Sequence, residues 1–247
     1  MEKKKIAFFS FTCCEGCQLE VLNQGSEMLD LLKHVEIVNF REAMSEKSDD
    51  YDIAFVEGSI ASNEQITDLK AIRANAKTLV ALGSCAVQGG INTLRNRRPI
   101  TEVKEYVYGK NAENISSILA SPISSFVKVD YNIRGCPIHT EDFIRFTKQL
   151  LMGMNPFQPD YPMCVDCRLN ENICVFDKGM VCMGPVTRAG CNAICPTFGN
   201  KCEGCRGLVS DPNVNGHREL LRSKGLAPND VYDEYSIYGV FDEQPEE

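Results

Sequence analysis

The chain has 247 residues, a mass of 27.5 kDa, a formal charge of −8 and 43% hydrophobic residues, which suits one large or two small globular domains. The acidic excess excludes a general binder of nucleic acid or of anionic membranes, because such proteins need a basic face. Only three histidines are present, and no apolar run is long enough to span a bilayer, so we expect neither histidine-rich metal sites nor membrane insertion.

The thirteen cysteines are the most informative part of the composition. Five lie in the first 150 residues, and eight lie between residues 164 and 205. The amino terminus passes from charged residues directly into a strand-like segment, without the pattern of a signal peptide, so we expect a cytoplasmic protein. Cytoplasmic thiols rarely form disulfides, which makes metal binding the favoured interpretation. Thirteen cysteines can supply three sets of four ligands, with one left over.

The first part of the chain alternates between strand-like and helix-like segments. The patterns predict strands at 6–11, 35–40, 51–56, 78–82 and 127–133, and helices at 19–32, 63–76 and 140–151. Nearly continuous apolar strands separated by helices are typical of a parallel, doubly wound α/β sheet. The sequence therefore predicts an α/β domain over residues 1–153.

Chemically reactive residues follow the predicted strands of this domain. The first strand is followed by Cys14 and Cys17, a middle strand by Glu57, and two later strands by Cys85 and Cys136. The carboxyl ends of parallel strands meet at one edge of a sheet, so we expect these residues to converge there. Two alternatives are ordinary buried thiols at Cys85 and Cys136, and a thioredoxin-like pair. The first is disfavoured by the glycine-rich loop sequences, and the second leaves two cysteines unexplained.

Beyond this domain the composition changes. Residues 154–162 are rich in proline and predict a linker, residues 163–228 predict a second, irregular domain, and residues 229–247 predict an acidic tail with seven acids and no Lys or Arg. Hydrophobic periodicity nearly disappears over 164–205, so we expect bound metal to take the place of an apolar core there. Aromatic residues recur through the tail, which is compatible with packing onto its own domain or with docking to a partner.

The cysteines of the second domain form two sets by spacing. The first set is Cys164, Cys167, Cys174 and Cys182, and the second is Cys191, Cys195, Cys202 and Cys205. Four thiolates can hold either zinc or a [4Fe–4S] cluster, and the irregular spacing together with Cys195-Pro196 favours iron–sulfur. In two-cluster ferredoxins the cysteine before proline serves the other cluster, so the assignment of Cys195 stays open.

Four motifs together resemble a known family. They are Cys14-Glu-Gly-Cys17, Glu57-Gly58-Ser59, Gly83-Ser84-Cys85-Ala-Val-Gln-Gly-Gly90 and Gly135-Cys136-Pro137. This combination resembles the electron-transferring small subunit of [NiFe]-hydrogenases, in particular the cytoplasmic group with sulfhydrogenase delta subunits and methyl-viologen-reducing hydrogenase small subunits. The resemblance implies a flavodoxin-like domain followed by an iron–sulfur cluster-binding domain. It also implies that this chain is one subunit of an oxidoreductase acting on H2.

The resemblance also implies cofactors and partners. A proximal [4Fe–4S] cluster is expected on Cys14, Cys17, Cys85 and Cys136, a medial one on Cys191, Cys195, Cys202 and Cys205, and a distal one on Cys164, Cys167, Cys174 and Cys182. No histidine lies between His139 and His217, which favours three all-cysteine clusters. The expected partners are a large subunit that holds the nickel–iron site and a flavin or iron–sulfur redox subunit.

Two other function classes remain open from the sequence. One is an iron–sulfur carrier like the cluster-bearing subunit of respiratory complex I, which uses an adjacent pair of cysteines, as Cys13 and Cys14 could be here. The other is a zinc-structured interaction module. Cys14 and Cys17 have the spacing that lets one tight turn direct two thiolates to one cluster. We therefore expect Cys13 to be the spare thiol, beside the cluster but not bound to it.

Overall fold

The computed structural model describes residues 3–239. The chain divides into two compact units, with the boundary after Pro156. This boundary lies within the segment 154–162 that the proline content predicts as a linker. Each unit carries one of the two cysteine-rich regions, so each is described separately below.

The first unit contains a five-stranded parallel sheet. Its strands are β1 (Lys4–Ser10), β2 (Val35–Phe40), β3 (Ile53–Glu57), β4 (Thr78–Leu82) and β5 (Tyr131–Ile133). The order across the sheet is β2-β1-β3-β4-β5, the flavodoxin-like order, so the predicted doubly wound fold is confirmed. The α-helices of this unit are α1 (Gly16–Leu22), α2 (Ser26–Leu32), α3 (Asn63–Asn75), α4 (Gly83–Gln88), α5 (Ile100–Tyr108) and α6 (Thr140–Leu151), and 3-10 helices cover Gly90–Arg97, Gly109–Asn114 and Ile123–Ser125.

Both faces of the sheet are buried, as the continuous apolar strands predict. Successive side chains of a strand point to opposite faces, so Phe8 and Phe55 lie on one face while Ala7 and Ala54 lie on the other. On the first face Phe8 stacks on Phe55 with ring centroids 5.0 Å apart, and Phe143 of α6 packs on both rings. On the second face α3 covers the sheet. This two-sided core fixes the strand ends from which the reactive loops emerge.

Two predicted elements differ from the observed ones. The predicted helix 19–32 is divided into α1 and α2, because Gly25 between them adopts a φ of +58°, outside the helical region. The predicted strand 127–133 is shorter, since β5 begins only at Tyr131. The Val127 amide instead donates to the carbonyl of Ile123 at 3.2 Å, which closes a turn before the strand.

The second unit is built from short helices and loops. Its α-helices are α7 (Cys164–Leu169), α8 (Ile194–Thr197), α9 (Val214–Ser223) and α10 (Pro228–Ser236), and a 3-10 helix covers Val175–Lys178. Over residues 3–239, no helix of either unit is long and apolar enough to cross a membrane. The loops between α7 and α9 carry most of the cysteines.

The second unit has an apolar core of its own, which corrects the expectation that metal alone replaces one. Val175, Met183 and Val186 of the cysteine-rich loops pack with Leu221 of α9 and Tyr235 of α10. The signal was missed because about a third of this core comes from residues after 205, and the rest is scattered through the cysteine-rich loops. Residues 229–236, predicted as the start of an acidic tail, form most of α10 and contribute to the core. Phe241 of the predicted aromatic stripe lies outside the described residues.

Candidate metal centres

The carboxyl edge of the sheet brings together the four cysteines of the first predicted set. Cys14 and Cys17 flank the first residue of α1, Cys85 lies in α4 directly after β4, and Cys136 follows β5. Burial and the neighbouring thiols Cys136 and Cys14 raise the pKa of Cys85 to about 12. Burial, Glu57 and Cys136 likewise raise the pKa of Cys17. The four sulfurs are thus electrostatic neighbours, although their residues are up to 122 positions apart.

Glycine at position 83 is required by the close approach of the start of α4 to a cysteine sulfur. Gly83 has a φ of +82°, and a Cβ on it would lie only 2.3 Å from the Cys17 Sγ. The next residue, Ser84, donates its amide to the carbonyl of Gly135 at 2.7 Å, which fastens the loop after β4 to the loop that carries Cys136. The glycines of the Gly83–Gly90 motif therefore have a geometric role beside the thiols.

A buried carboxylate fixes the position of Cys17. The two oxygens of Glu57 accept hydrogen bonds from the backbone amides of Cys17 and Gln18, each at 3.1 Å, and the residue is 2% exposed. These amides belong to the first turn of α1, where no backbone acceptor is available. Glu57 therefore serves as the N-terminal cap of a helix that is distant in sequence. Burial raises the pKa of this carboxyl group despite the two amide donors.

Cys13, which the sequence predicts to be the spare thiol, lies beside the same group. Its Sγ donates to the carbonyl of Phe11 at 3.7 Å. Burial and the Glu57 carboxylate raise its pKa to about 12, with a further contribution from Cys85. Cys14 is exposed and its sulfur lies near Gly16, where a Cβ would approach it to 3.3 Å. The thiols of Cys13 and Cys14 are adjacent in sequence but have different surroundings.

In the second unit, the cysteines of the first predicted set lie near one another. Burial and the neighbouring thiols Cys182, Cys167 and Cys174 raise the pKa of Cys164 to about 11. Two of these sulfurs lie close to Gly184. A Cβ on that residue would lie 3.3 Å from the Cys164 Sγ and 3.4 Å from the Cys182 Sγ. Each thiol must lose its proton before it can bind metal, so burial of this kind couples metal binding to proton release.

The second predicted set lies next to the first. Burial raises the pKa of Cys202, with contributions from Cys182, Cys205 and Cys191. Burial and Cys191 raise the pKa of Cys195. The Cys202 amide donates to the Cys182 Sγ at 3.3 Å, and the Gly184 amide donates to the same sulfur at 3.4 Å. Cys182 therefore lies at the boundary between the two sets.

A histidine and a tyrosine hold the backbone at Cys182, where the two sets of cysteines meet. His217 of α9 is 4% exposed; its Nε2 lies 2.9 Å from the carbonyl oxygen of Cys182, and its Nδ1 lies 2.6 Å from the Tyr235 hydroxyl. A carbonyl only accepts, so Nε2 carries the proton and Nδ1 accepts from the tyrosine. The sequence pattern predicts no role for His217, and for Tyr235 it leaves open packing onto its own domain or docking to a partner; the structure buries Tyr235 in the core of the second unit. A histidine within an amphipathic helix resembles many surface histidines, so no local pattern marks it.

We expect His217→Phe to lower the free energy of unfolding of the second unit by about 2–5 kcal/mol, because it removes the two buried hydrogen bonds that the imidazole makes with the Cys182 carbonyl and the Tyr235 hydroxyl. Thermal melts of the anaerobic protein, followed by circular dichroism, measure this change. The matched control is His34→Phe at an exposed histidine, which should change stability by less than about 0.5 kcal/mol. Equal losses in the two variants would contradict the role of His217.

The donor chemistry of all three groups fits iron–sulfur clusters. Every predicted ligand is a cysteine, and backbone amides donate to the Cys182 sulfur in the way that amides tune cluster potentials. Across the described residues, no three Cys, His, Asp or Glu side chains are arranged to hold one metal ion. The thiols of each group are neighbours without closing on a single point.

Comparison with known proteins places the chain in a family. The family model described as NADH ubiquinone oxidoreductase, 20 Kd subunit, matches residues 14–150, which span all four cysteines of the first group. The sulfhydrogenase 2 subunit delta of Pyrococcus furiosus is 37% identical over 221 residues, covering 88% of this chain and 92% of the relative. A subunit of the F420-non-reducing hydrogenase vhu of Methanocaldococcus jannaschii is 32% identical over 271 residues, covering 96% of this chain and 94% of the relative.

Solved structures agree with these relatives. A chain of an NAD⁺-reducing [NiFe]-hydrogenase in the H2-reduced state is 28% identical and superposes with a TM-score of 0.57, covering 64% of this chain and 96% of that one. A chain of the Ni-Fe-Se hydrogenase of Desulfomicrobium baculatum superposes with a TM-score of 0.55 and covers 87% of this chain and 98% of that one. Its 15% identity supports the fold alone.

These findings define an iron–sulfur, electron-transferring oxidoreductase subunit built on a flavodoxin-like domain. The chain belongs to the NADH ubiquinone oxidoreductase 20 kDa subunit family and, within it, to the hydrogenase small subunits of the sulfhydrogenase delta type. The resemblance predicted from the four motifs is therefore confirmed. Small subunits of this kind work with a separate large subunit, which holds the hydrogenase active site.

Proposed function

We propose that this chain relays electrons between the nickel–iron site of a large subunit and a redox partner, through three [4Fe–4S] clusters. The proximal cluster binds to Cys14, Cys17, Cys85 and Cys136, the medial cluster to Cys191, Cys195, Cys202 and Cys205, and the distal cluster to Cys164, Cys167, Cys174 and Cys182. The partner at the far end is a flavin or iron–sulfur subunit, and the complex works in the cytoplasm.

One observation supports this proposal above the others. The four cysteines predicted for the proximal cluster are electrostatic neighbours at the sheet edge, and eight further cysteines lie in the second unit, where each set predicted from spacing contains neighbouring thiols. A carrier with one cluster would need only the first group. The eight cysteines of the second unit have no counterpart in an α/β domain of this kind, which favours a subunit with additional redox centres over a one-cluster carrier.

The chain's own residues adjust the chemistry of these sites. Iron–sulfur clusters accept and release single electrons, so two electrons from H2 ⇌ 2H⁺ + 2e⁻ pass one at a time. Burial and amide donors decide how easily a cysteine-bound centre takes up negative charge. The amides of Gly184 and Cys202 favour charge on Cys182, and the buried carboxyl group of Glu57 holds the turn at Cys17 in place.

Affinity purification of the tagged chain from its own cells tests the proposal. We expect a nickel-containing large subunit to co-purify and to oxidise H2 with a viologen dye. The chain expressed alone under anaerobic conditions should bind about twelve iron atoms and show no H2 oxidation. About four iron atoms, or zinc in place of iron, would contradict the three clusters. A partner without nickel would instead favour an electron carrier without hydrogen chemistry.

A further inference from the structure

The connection between β2 and β3 differs from an ordinary crossover. Parallel strands are usually joined through a helix, but the residues between Phe40 and Ile53 form only turns and one isolated bridge, between Asn39 and Lys47. A cavity of about 340 Å³ lies where this connection meets the carboxyl half of β1 and the outer side of α3. That volume falls in the range of small-ligand sites.

Two cations line the cavity without a charged partner. Arg41 follows β2, Lys47 lies in the connection, and both side chains are exposed. Neither side chain forms an ion pair or a hydrogen bond with any residue between 3 and 239, whereas Lys5, Arg73 and Lys77 of the same unit are all paired. Only one carboxylate, that of Asp68, lines the same cavity. The charge balance therefore favours an anionic group.

The inner part of the cavity is aromatic. Phe9 and Phe11 of the β1 end line it, beside Ala71 and Ile72 of α3. Both phenylalanines are only partly buried, unlike Phe8 in the core on the other face of the sheet. A flat ring placed against them would bury apolar surface that water now contacts.

A mostly buried asparagine also lines the cavity. Asn39, near the end of β2, is 9% exposed, and its side chain makes no hydrogen bond within the described part of the chain. Its amide atoms are not among the fully buried polar atoms that lack a partner, so a ligand can reach them. The Asn39 amide can both donate and accept, which suits the edge of a heterocyclic base.

We propose that this cavity binds a mononucleotide. The phosphate lies between Arg41 and Lys47, the base packs on Phe9 and Phe11, and the Asn39 amide pairs with the edge of the base. The site lies on the face of the sheet covered by α3, whereas Cys17 packs into the core of the opposite face. None of the residues that line the cavity is a predicted cluster ligand, so the inference does not depend on the proposed function.

Isothermal titration of the full chain with adenosine monophosphate, under anaerobic conditions, tests this inference. We expect Arg41→Ala and Lys47→Ala each to weaken binding at least tenfold, because each removes one charge-assisted contact with the phosphate. Lys70→Ala is the matched control, since Lys70 is an exposed lysine of α3 that does not line the cavity. Adenosine and inorganic phosphate should each bind more weakly than the nucleotide, because each offers only part of the contacts.

Several outcomes would overturn the site. No binding of adenosine monophosphate at about 1 mM would exclude it, and so would equal affinities in the Arg41, Lys47 and Lys70 variants. Inorganic phosphate that binds as tightly as the nucleotide would exclude the aromatic part of the site. Arg41 and Lys47 are exposed and unpaired among the described residues, so their removal should leave the fold intact, and circular dichroism of each variant verifies this.

Discussion

Cys14→Ser is expected to remove the proximal cluster, whereas Cys13→Ser should keep it. Both sulfurs are electrostatic neighbours of Cys85, but the Cys13 thiol is held by a hydrogen bond to the carbonyl of Phe11, and only Cys14 has the two-residue spacing to Cys17. The Cys14 variant should lose about four iron atoms per chain. Its H2-driven dye reduction in the complex with the large subunit should fall at least tenfold, the scale on which disturbed metal shells act.

Electron paramagnetic resonance of the reduced complexes distinguishes the two cysteines. The Cys13→Ser complex should retain all cluster signals, with at most a shifted potential at one of them. If Cys13→Ser instead abolishes the proximal signal and Cys17→Ser leaves it intact, two adjacent cysteines bind the cluster. The assignment of Cys13 as the spare thiol would then be wrong. These two variants make the same change at neighbouring positions, so each serves as the control for the other.

Gly83→Ala is expected to disrupt the same site without touching a ligand. The new methyl group would lie 2.3 Å from the Cys17 Sγ, so the Cys17 side chain must leave its position or the start of α4 or α1 must move. The matched control is Gly153→Ala. Gly153 has a similar φ of +73°, but nothing lies within 4 Å of its Cβ position. Both variants carry the backbone strain of a positive φ, about 1–2 kcal/mol, and only Gly83→Ala adds the collision.

Iron content and cluster spectra separate these two effects. Gly83→Ala should lose about four iron atoms per chain, whereas Gly153→Ala should keep all of them and melt slightly earlier. A full complement of iron in Gly83→Ala, with unchanged proximal signals, would show that the site yields to the methyl group. In that case the close packing of the start of α4 against Cys17 would not be a requirement of the site.

The sheet could be predicted where its strands are buried on both faces. β2, β4 and α6 begin and end at the predicted residues, because apolar runs or an apolar stripe mark them. The region from Gly90 to Ile123 gave no such signal. Its helix α5 buries no side chain, and Tyr106 is 91% exposed, so no periodic stripe faces a core. Elements that pack little leave little pattern in the sequence.

The candidate centres and the place of Glu57 beside them could be predicted from strand ends and cysteine spacing, but the contacts that Glu57 and His217 make could not. The spacing of cysteines and their positions after strands are local properties of the sequence, and together with the four motifs they assign twelve thiols to three predicted sets. The contacts of Glu57 with Cys17 and of His217 with Cys182 join residues 40 and 35 positions apart. No spacing rule connects such residues. Only the folded chain reveals that a carboxylate caps α1 and that an imidazole holds the loop of Cys182.

The capping of α1 by Glu57 has a consequence for biosynthesis. The helix that presents Cys17 receives its acceptor from β3, which leaves the ribosome after both cysteines of the first turn. A nascent chain that ends before β3 therefore has the thiols but lacks the group that orients them. Pairing of β1 with β3 is the step that brings Glu57 to these amides, so the orientation of Cys17 depends on the assembly of the sheet.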